Sequence, residues 1–291
     1  MKLKITVIGL GVMGGPMALN IIRHGFDVAA CDANPDILKG FTGKVSVAST
    51  NPSLAADRRN IIITILPNSD DVETVLFGID GVLNTCAPNS LFVDMSTGSY
   101  PKTIEIAGKL SALGHKFIDA PVGRTPREAI SGNLLVMAGG SKEDIAFMDD
   151  IFHAVGDTII HVGKIGCGLK AKLVNNYMAM INNALTGETL SFAQSAGLDI
   201  NAMAQLMSTT AAGLGQLNTN YPKKILAGDI TPDFPIFMAL KDLDMAIELA
   251  NFCNVNARFG ELARQAFVGA DQSGMGHLDQ TAIMEYFCKK E

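Results

Sequence analysis

The sequence is as informative in what it lacks as in what it holds. It has no excess of positive charge: 23 Lys and Arg stand against 29 Asp and Glu, a net charge of −6. No basic field is therefore available to hold nucleic acid or an anionic membrane, and neither is expected as a partner. The five cysteines (Cys31, Cys86, Cys167, Cys253, Cys288) are odd in number and form no C-x-x-C pair. That argues against a disulfide framework and a structural zinc site, and it fits a reducing cytoplasm. The five histidines (His24, His115, His153, His161, His277) show neither H-x-x-x-H nor H-E-x-x-H spacing, so no metal is expected. No uninterrupted apolar stretch reaches the roughly 18 residues of a membrane-spanning helix. Lys2 and Lys4 followed by ITVIGLGVMGGPMALNII imitate the charged and apolar regions of a signal peptide. Four glycines and a proline break that run and no A-x-A-like cleavage site follows, so the segment is expected to fold.

What is present is ample core material. The 291 residues are 48% hydrophobic and 18% charged, enough for two domains. From residue 3 to about 162, short runs rich in Val and Ile alternate with helix-like stretches: KITVIGL (4–10), FDVAACD (26–32), NIIITIL (60–66), SLFVDMS (90–96), KFIDAPV (116–122) and LLVMAGG (134–140). Near-continuous apolar strands separated by amphipathic crossovers are what a parallel sheet covered on both faces requires. The first half is therefore expected to be a doubly wound, mainly parallel α/β domain over 1–162. After HVGKIGCG (161–168) the spacing becomes helical over about 169–196, 199–209, 216–227, 234–253, 257–273 and 279–289, which predicts an all-α domain over 163–291. No repeat or low-complexity linker separates the halves, so the first long helix is expected to form the junction, with a ligand cleft beside it.

Gly9-Leu10-Gly11-Val12-Met13-Gly14 follows the first strand and opens a helix. The first glycine permits a tight turn, the second lets a pyrophosphate approach the backbone, and the third lets helix and strand pack closely. FDVAACD then ends a strand at Asp32, whose carboxylate can accept from both hydroxyls of an adenosine ribose and repels a 2′-phosphate. No Arg or Lys lies at 33–36, so NAD is expected over NADP. Leu66-Pro67-Asn68 and Ser96-Thr97 fall at two further strand ends, where the carboxyl edge of such a sheet meets its ligand.

In the long helical segment Asn175, Asn176 and Asn183 lie on the same face as Lys172, while Leu169, Leu173, Val174, Met178, Ile181 and Leu185 spread over the rest. A helix apolar over most of its circumference is expected to be largely buried, and a buried ammonium among amides needs oxygen partners, which a substrate would supply.

Together GLGVMGGPMALNI, ITILPN, DMSTGSYP, DAPV, the Gly163-x-x-Gly166-x-Gly168-x-x-x-Lys172-x-x-Asn175-Asn176 pattern and FPIFMALKDLDMA (234–246) resemble the β-hydroxyacid dehydrogenases over essentially the whole chain. That family includes the 3-hydroxyisobutyrate, 4-hydroxybutyrate and tartronate semialdehyde enzymes. The resemblance implies a Rossmann domain, a helical domain, dimers or tetramers, and hydride transfer between NAD(P)H and a small aldehyde acid. It places the catalytic lysine on Lys172, its amide partner on Asn176 with Asn175 beside it, and a substrate contact on Ser96. Cofactor contacts fall on Leu66, Pro67, Asn68, Thr97 and Lys241, and Lys241 or Arg124 would help lower the Lys172 pKa. A non-catalytic dinucleotide-binding relative would have lost the lysine.

One loop departs from the family. Where most members read Ser-Gly-Gly after DAPV, this chain reads Gly123-Arg124-Thr125. An arginine adds a fixed charge and a rigid fork of donors suited to an anion with more than two oxygens. PVGRT, KLVNNYM (172–178) and TTAAGLGQ (209–216) resemble the family's sugar-sulfonate branch. That likeness implies an aldehyde substrate carrying a sulfonate, clamped by Arg124 with Gly123, Thr125 and the asparagines. The alternatives are a carboxylate semialdehyde, or an Arg124 that faces solvent or pairs with Glu128.

Overall fold

The computed structural model describes residues 3–288. Lys2, and residue 289 at the end of the last expected helix, lie outside the described residues. Contacts divide the chain into Met1–Tyr177 and Met178–Glu291.

In the first unit the strands are β1 (Lys4–Ile8), β2 (Asp27–Cys31), β3 (Val47–Ser49), β4 (Ile61–Thr64), β5 (Leu91–Asp94), β6 (Lys116–Asp119), β7 (Val122–Gly123), β8 (Leu134–Gly139) and β9 (Gly156–Gly163). They form one sheet in the order β3-β2-β1-β4-β5-β6-β8-β7, with β9 beside β8. From β3 to β6 every pairing is parallel, and the direction reverses only where β6 and β7 meet β8. The helices between them are α1 (Gly14–Arg23), α2 (Pro35–Leu38), α3 (Pro52–Ala55), α4 (Ser69–Phe77), α5 (Tyr100–Ala112), α6 (Pro126–Ser131), α7 (Lys142–Phe147) and α8 (Asp149–Val155).

The apolar runs fill both faces because successive side chains of a strand point in opposite directions. Ile61, Ile63, Leu91 and Val93 join the cluster containing Met17 and Ile21 of α1 and Phe152 of α8. Their neighbours Ile62 and Phe92 join the opposite cluster, with Leu76 of α4 and Ile106 and Leu110 of α5. Each such side chain contributes about 1.5–3 kcal/mol on burial. The six expected strands are all present. The sequence reading missed β3 and β9; in β9 only Gly156 is buried and the rest is half-buried or exposed, so its apolar signal is diluted.

Helix α9 (Cys167–Ser195) follows, and the division between units falls after Tyr177, inside it. Its start is tied to the sheet: Leu169 is buried, and Asp119 at the end of β6 accepts the N–H groups of Gly166 and Leu169. Beyond that the helix departs from the expected burial. Val174 and Tyr177 are each 71% exposed and Met180 is 64% exposed.

The second unit contains α10 (Ile200–Ser208), α11 (Ala211–Leu214), α12 (Ile236–Phe252), α13 (Arg258–Ala270) and α14 (Ile283–Cys288). The helix expected at 216–227 is instead three short 3-10 turns. Asn218 and Thr219 spend their side chains on the carbonyls of Leu214 and Gly215, Pro222 lacks an N–H, and Gly215 and Gly228 bound the segment with positive φ. A small core of Ile236, Ala270, Met275 and Ala282 holds the unit's end together. Among the described residues no helix is long and apolar enough to cross a membrane.

Candidate active site

The turn 9–14 leaves the carboxyl end of β1, between β2 and β4, where the direction of strand succession reverses. Gly9 has φ 92°, and a Cβ there would stand 2.2 Å from the Ile65 carbonyl oxygen. A Cβ on Gly14 would stand 1.9 Å from the Gly9 carbonyl oxygen. These two glycines are demanded by the fold itself. Gly11 is different: nothing lies within 4 Å of its missing Cβ, so bare backbone faces open space.

At the end of β2, Asp32 accepts the Leu10 N–H at 2.7 Å on Oδ2 and the Asn34 N–H at 2.8 Å on Oδ1. The carboxylate is thereby fixed, and each oxygen keeps lone-pair capacity for a hydroxyl. A cavity of about 660 Å³ opens here, lined among others by Gly9, Gly11, Val12, Met13, Gly14 and Asp32. Open backbone, a helix start and an oriented carboxylate fit a dinucleotide. Asn68, expected among its contacts, instead caps α4: its Oδ1 accepts the Asp71 N–H at 2.9 Å.

A second cavity of about 270 Å³ adjoins the first, sharing Met13, Ile65, Leu66 and Pro67 as lining. Its remaining walls are Met95, Ser96, Thr97, Val122, Arg124 and Lys172. Ser96 is buried, donates its N–H to Asp94 at 3.0 Å, and accepts the Leu66 N–H on Oγ at 2.9 Å. Asp94 also takes the Thr64 hydroxyl at 2.9 Å, and burial pushes its carboxyl up despite these bonds. The Lys172 ammonium is held below its usual pKa by burial. The neighbouring cation expected from Arg124 or Lys241 is not part of that cause.

The departing loop is partly in this cavity and partly outside it. Arg124 has φ 77°, a left-handed conformation ordinarily left to glycine. Its guanidinium donates to Asp157 at 2.5 Å, to the Asn133 carbonyl and to Thr158 Oγ1 at 3.2 Å. Asp157, not Glu128, is therefore its partner. Glu128 instead accepts the Thr125 N–H at 2.9 Å in a capping box at the start of α6, so Thr125 serves the helix and does not line the cavity. Gly123 pairs with Leu135 of β8. Asn175 and Asn176 face each other at 3.5 Å without lining either cavity. Lys241 belongs to the second unit, where it pairs with Asp242 at 3.0 Å.

Lys172, Ser96, Thr97 and Arg124 are thus brought together beside the dinucleotide cavity, while Gly123, Thr125, Asn175 and Asn176 are not. Two residues behind the site escaped notice as functional, Asp94 and Asp119. Their signal was a carboxylate closing an otherwise apolar strand run, where an unpaired charge is costly. Among the described residues no group of His, Cys, Asp or Glu could hold a metal ion.

Comparison with known proteins agrees with this geometry. The description of the NAD binding domain of 6-phosphogluconate dehydrogenase matches residues 4–163. That of the NAD-binding region of NADP-dependent 3-hydroxyisobutyrate dehydrogenase matches residues 166–287. The chain belongs to the β-hydroxyacid dehydrogenase family of the 3-hydroxyisobutyrate type, NAD(P)-dependent oxidoreductases acting on CH–OH groups. Among individual relatives, 3-sulfolactaldehyde reductase of Escherichia coli is 38% identical over 281 residues, 97% of this chain and 94% of that protein. 2-(Hydroxymethyl)glutarate dehydrogenase of Eubacterium barkeri is 32% identical over 98% of this chain and 94% of its own. The crystal structure of 3-hydroxyisobutyrate dehydrogenase from Salmonella typhimurium is 26% identical, with a TM-score of 0.66, over 98% of this chain and 99% of that one.

Proposed function

We propose that this enzyme reduces 3-sulfolactaldehyde to 2,3-dihydroxypropane-1-sulfonate with NADH, the reductive step of sulfoglycolysis, with Lys172 as proton donor. The observation that carries it is the meeting of Lys172 and Arg124 in one small cavity that shares a wall with the dinucleotide cavity. A nicotinamide dinucleotide held by the turn 9–14 and Asp32 would supply the hydride for the carbonyl carbon. As charge develops on the carbonyl oxygen, the Lys172 ammonium stabilises it and donates the proton. Its lowered pKa brings it nearer to neutral pH, where such a donor works best.

Arg124 supports the sulfonate. Three guanidinium hydrogen bonds go to Asn133, Asp157 and Thr158, leaving donors of the fork for a tetrahedral anion. Asp32 supports NADH over NADPH, since its fixed carboxylate repels a 2′-phosphate. A homodimer or homotetramer is supported by the exposed apolar middle of α9 and by Gly187, beside which there is room for a close partner. The free cysteines suit the cytoplasm.

The test is NADH oxidation with sulfolactaldehyde beside succinic, methylmalonic and tartronic semialdehydes, for the wild type and Arg124→Gly. The wild type is expected to prefer the sulfonate by kcat/KM. The variant is expected to lose ten- to a hundredfold on it, the effect of one charge-assisted contact of about 1.5–3 kcal/mol. A wild type that prefers a carboxylate, or a variant that keeps its sulfonate preference, refutes the assignment.

A further inference from the structure

Asp119 meets three glycines that lie well beyond it in sequence, Gly139 and the pair Gly166 and Gly168. The Asp119 carboxylate accepts the Gly166 N–H at 2.6 Å on Oδ1 and the Leu169 N–H at 2.7 Å on Oδ2. Asp119 is 1% exposed, so these bonds are made out of water. The backbone around it is cleared of side chains. A Cβ on Gly168 would stand 2.4 Å from the carbonyl oxygens of Asp119 and Met137, and one on Gly139 would stand 2.6 Å from Asp119 Oδ1. Gly166 turns into the helix with φ 88°. Gly168 and Lys172 are four residues apart on α9, hence on the same face, about 6 Å along the axis. The face pressed against Asp119 is the face that carries the lysine one turn later.

We propose that Asp119 is a positioning residue: its buried carboxylate grips the first turn of α9 and thereby sets where the Lys172 ammonium stands in the cavity. The proposal rests on Lys172 being the proton donor. Asp94, the register partner of Asp119 on the neighbouring strand, does the equivalent for the facing wall by holding Ser96. Two parallel strands thus end in two buried carboxylates, one holding Ser96 and the other the start of α9.

Ionised Asp119 can accept both N–H groups. A protonated acid or an amide would turn a donor toward one of them, releasing one end of the grip. Burial pushes its carboxyl up to about 6, and the charge of Asp94 on β5 adds to this. β8 and α9 meet Asp119 with Gly139, Gly166, Gly168 and Leu169, none of which titrates.

The experiment compares the wild type, Asp119→Asn and Lys172→Ala as purified enzymes, measuring kcat, KM and the NADH Kd by fluorescence titration. Asp119→Asn is expected to bind NADH as the wild type does and to lose about a hundredfold in kcat, the effect of a misplacement near 1 Å. The wild-type kcat for reduction is expected to fall on the acid side around pH 6, where a lysine donor by itself would leave it level. An acid-side fall in kcat that Asp119→Asn keeps unchanged overturns the proposal. So does an Asp119→Asn enzyme that binds NADH and turns over close to the wild-type rate. Full turnover by Lys172→Ala would instead remove the proton-donor assignment itself, whereas a dead Lys172→Ala beside an unaffected Asp119→Asn removes only the positioning role.

Discussion

Two loops of the first unit face the adjoining cavities, and they solve the same problem by opposite means. The turn 9–14 runs from β1 into α1 and the turn 123–125 from β7 into α6. Both suit an anion, and both contain a residue with positive φ, Gly9 at 92° and Arg124 at 77°. In the first loop the residue is glycine and the walls are bare backbone, so a phosphate pair of unvarying shape can be met by N–H groups already in place. In the second a charged side chain occupies a conformation that costs on the order of 1–3 kcal/mol and is held there by Asp157, Asn133 and Thr158. Backbone suits a ligand group of fixed shape; a side chain can be exchanged when the ligand changes.

The contrast can be broken most sharply at Lys172, which lines the second cavity with Met13 of one loop and Arg124 of the other. Lys172→Ala is expected to fold, to bind NADH normally, and to lose on the order of a thousandfold in kcat for reduction. Normal turnover in steady-state assays would take Lys172 out of the mechanism.

Within the glycine loop, Gly14→Ala and Gly11→Ala should part company. At Gly14 the new methyl meets the Gly9 carbonyl, and overpacking of about 1–3 kcal/mol should lower both Tm and NADH affinity. At Gly11 the free protein has room, so Tm should hold while NADH binding weakens. Equal Tm losses in the two variants would mean that Gly11 is structural too.

Asp32→Ser removes a fixed carboxylate and should lower kcat/KM with NADH about tenfold, with the NADPH value rising toward it. An unchanged cofactor ratio would contradict the role given to Asp32.

Lys172 must be protonated to donate, so the kcat for reduction should fall as pH rises through its folded pKa, which lies below 10.5. Oxidation of the alcohol product should show the mirror-image rise. A reduction rate that keeps climbing through the alkaline range contradicts the donor.

The smallest effect should be on the stability of Arg124→Gly. Relief of the left-handed strain opposes the loss of a half-exposed ion pair, itself about 0–1 kcal/mol, so Tm should move by only a few degrees while substrate preference changes.

The sequence made the cofactor side legible because its requirements are local: a strand end, three glycines and an acid one strand later all lie within residues 4–32. Lys172 does line the second cavity, but the asparagines of its stripe line neither, so the stripe by itself overstated the site. The reach of Arg124 was not legible, because its partner Asp157 comes from β9, a strand whose half-exposed pattern gave little signal. Asp119 lies in the DAPV motif and Gly166 and Leu169 in the glycine-rich one; what joins them is a carboxylate 47 and 50 residues from the N–H groups it accepts. The region 216–227 misled for a different reason, since apolar spacing cannot register side chains that bond their own backbone.

The junction at Asp119 also keeps time. Its two amides, on Gly166 and Leu169, point into a dry carboxylate at the head of a helix whose middle is open to water. In heavy water they should surrender their hydrogens only when the helix start comes away, long after the turns beyond Tyr177 have exchanged. The lifetime of the working geometry can therefore be followed in the resting enzyme, with neither substrate nor turnover.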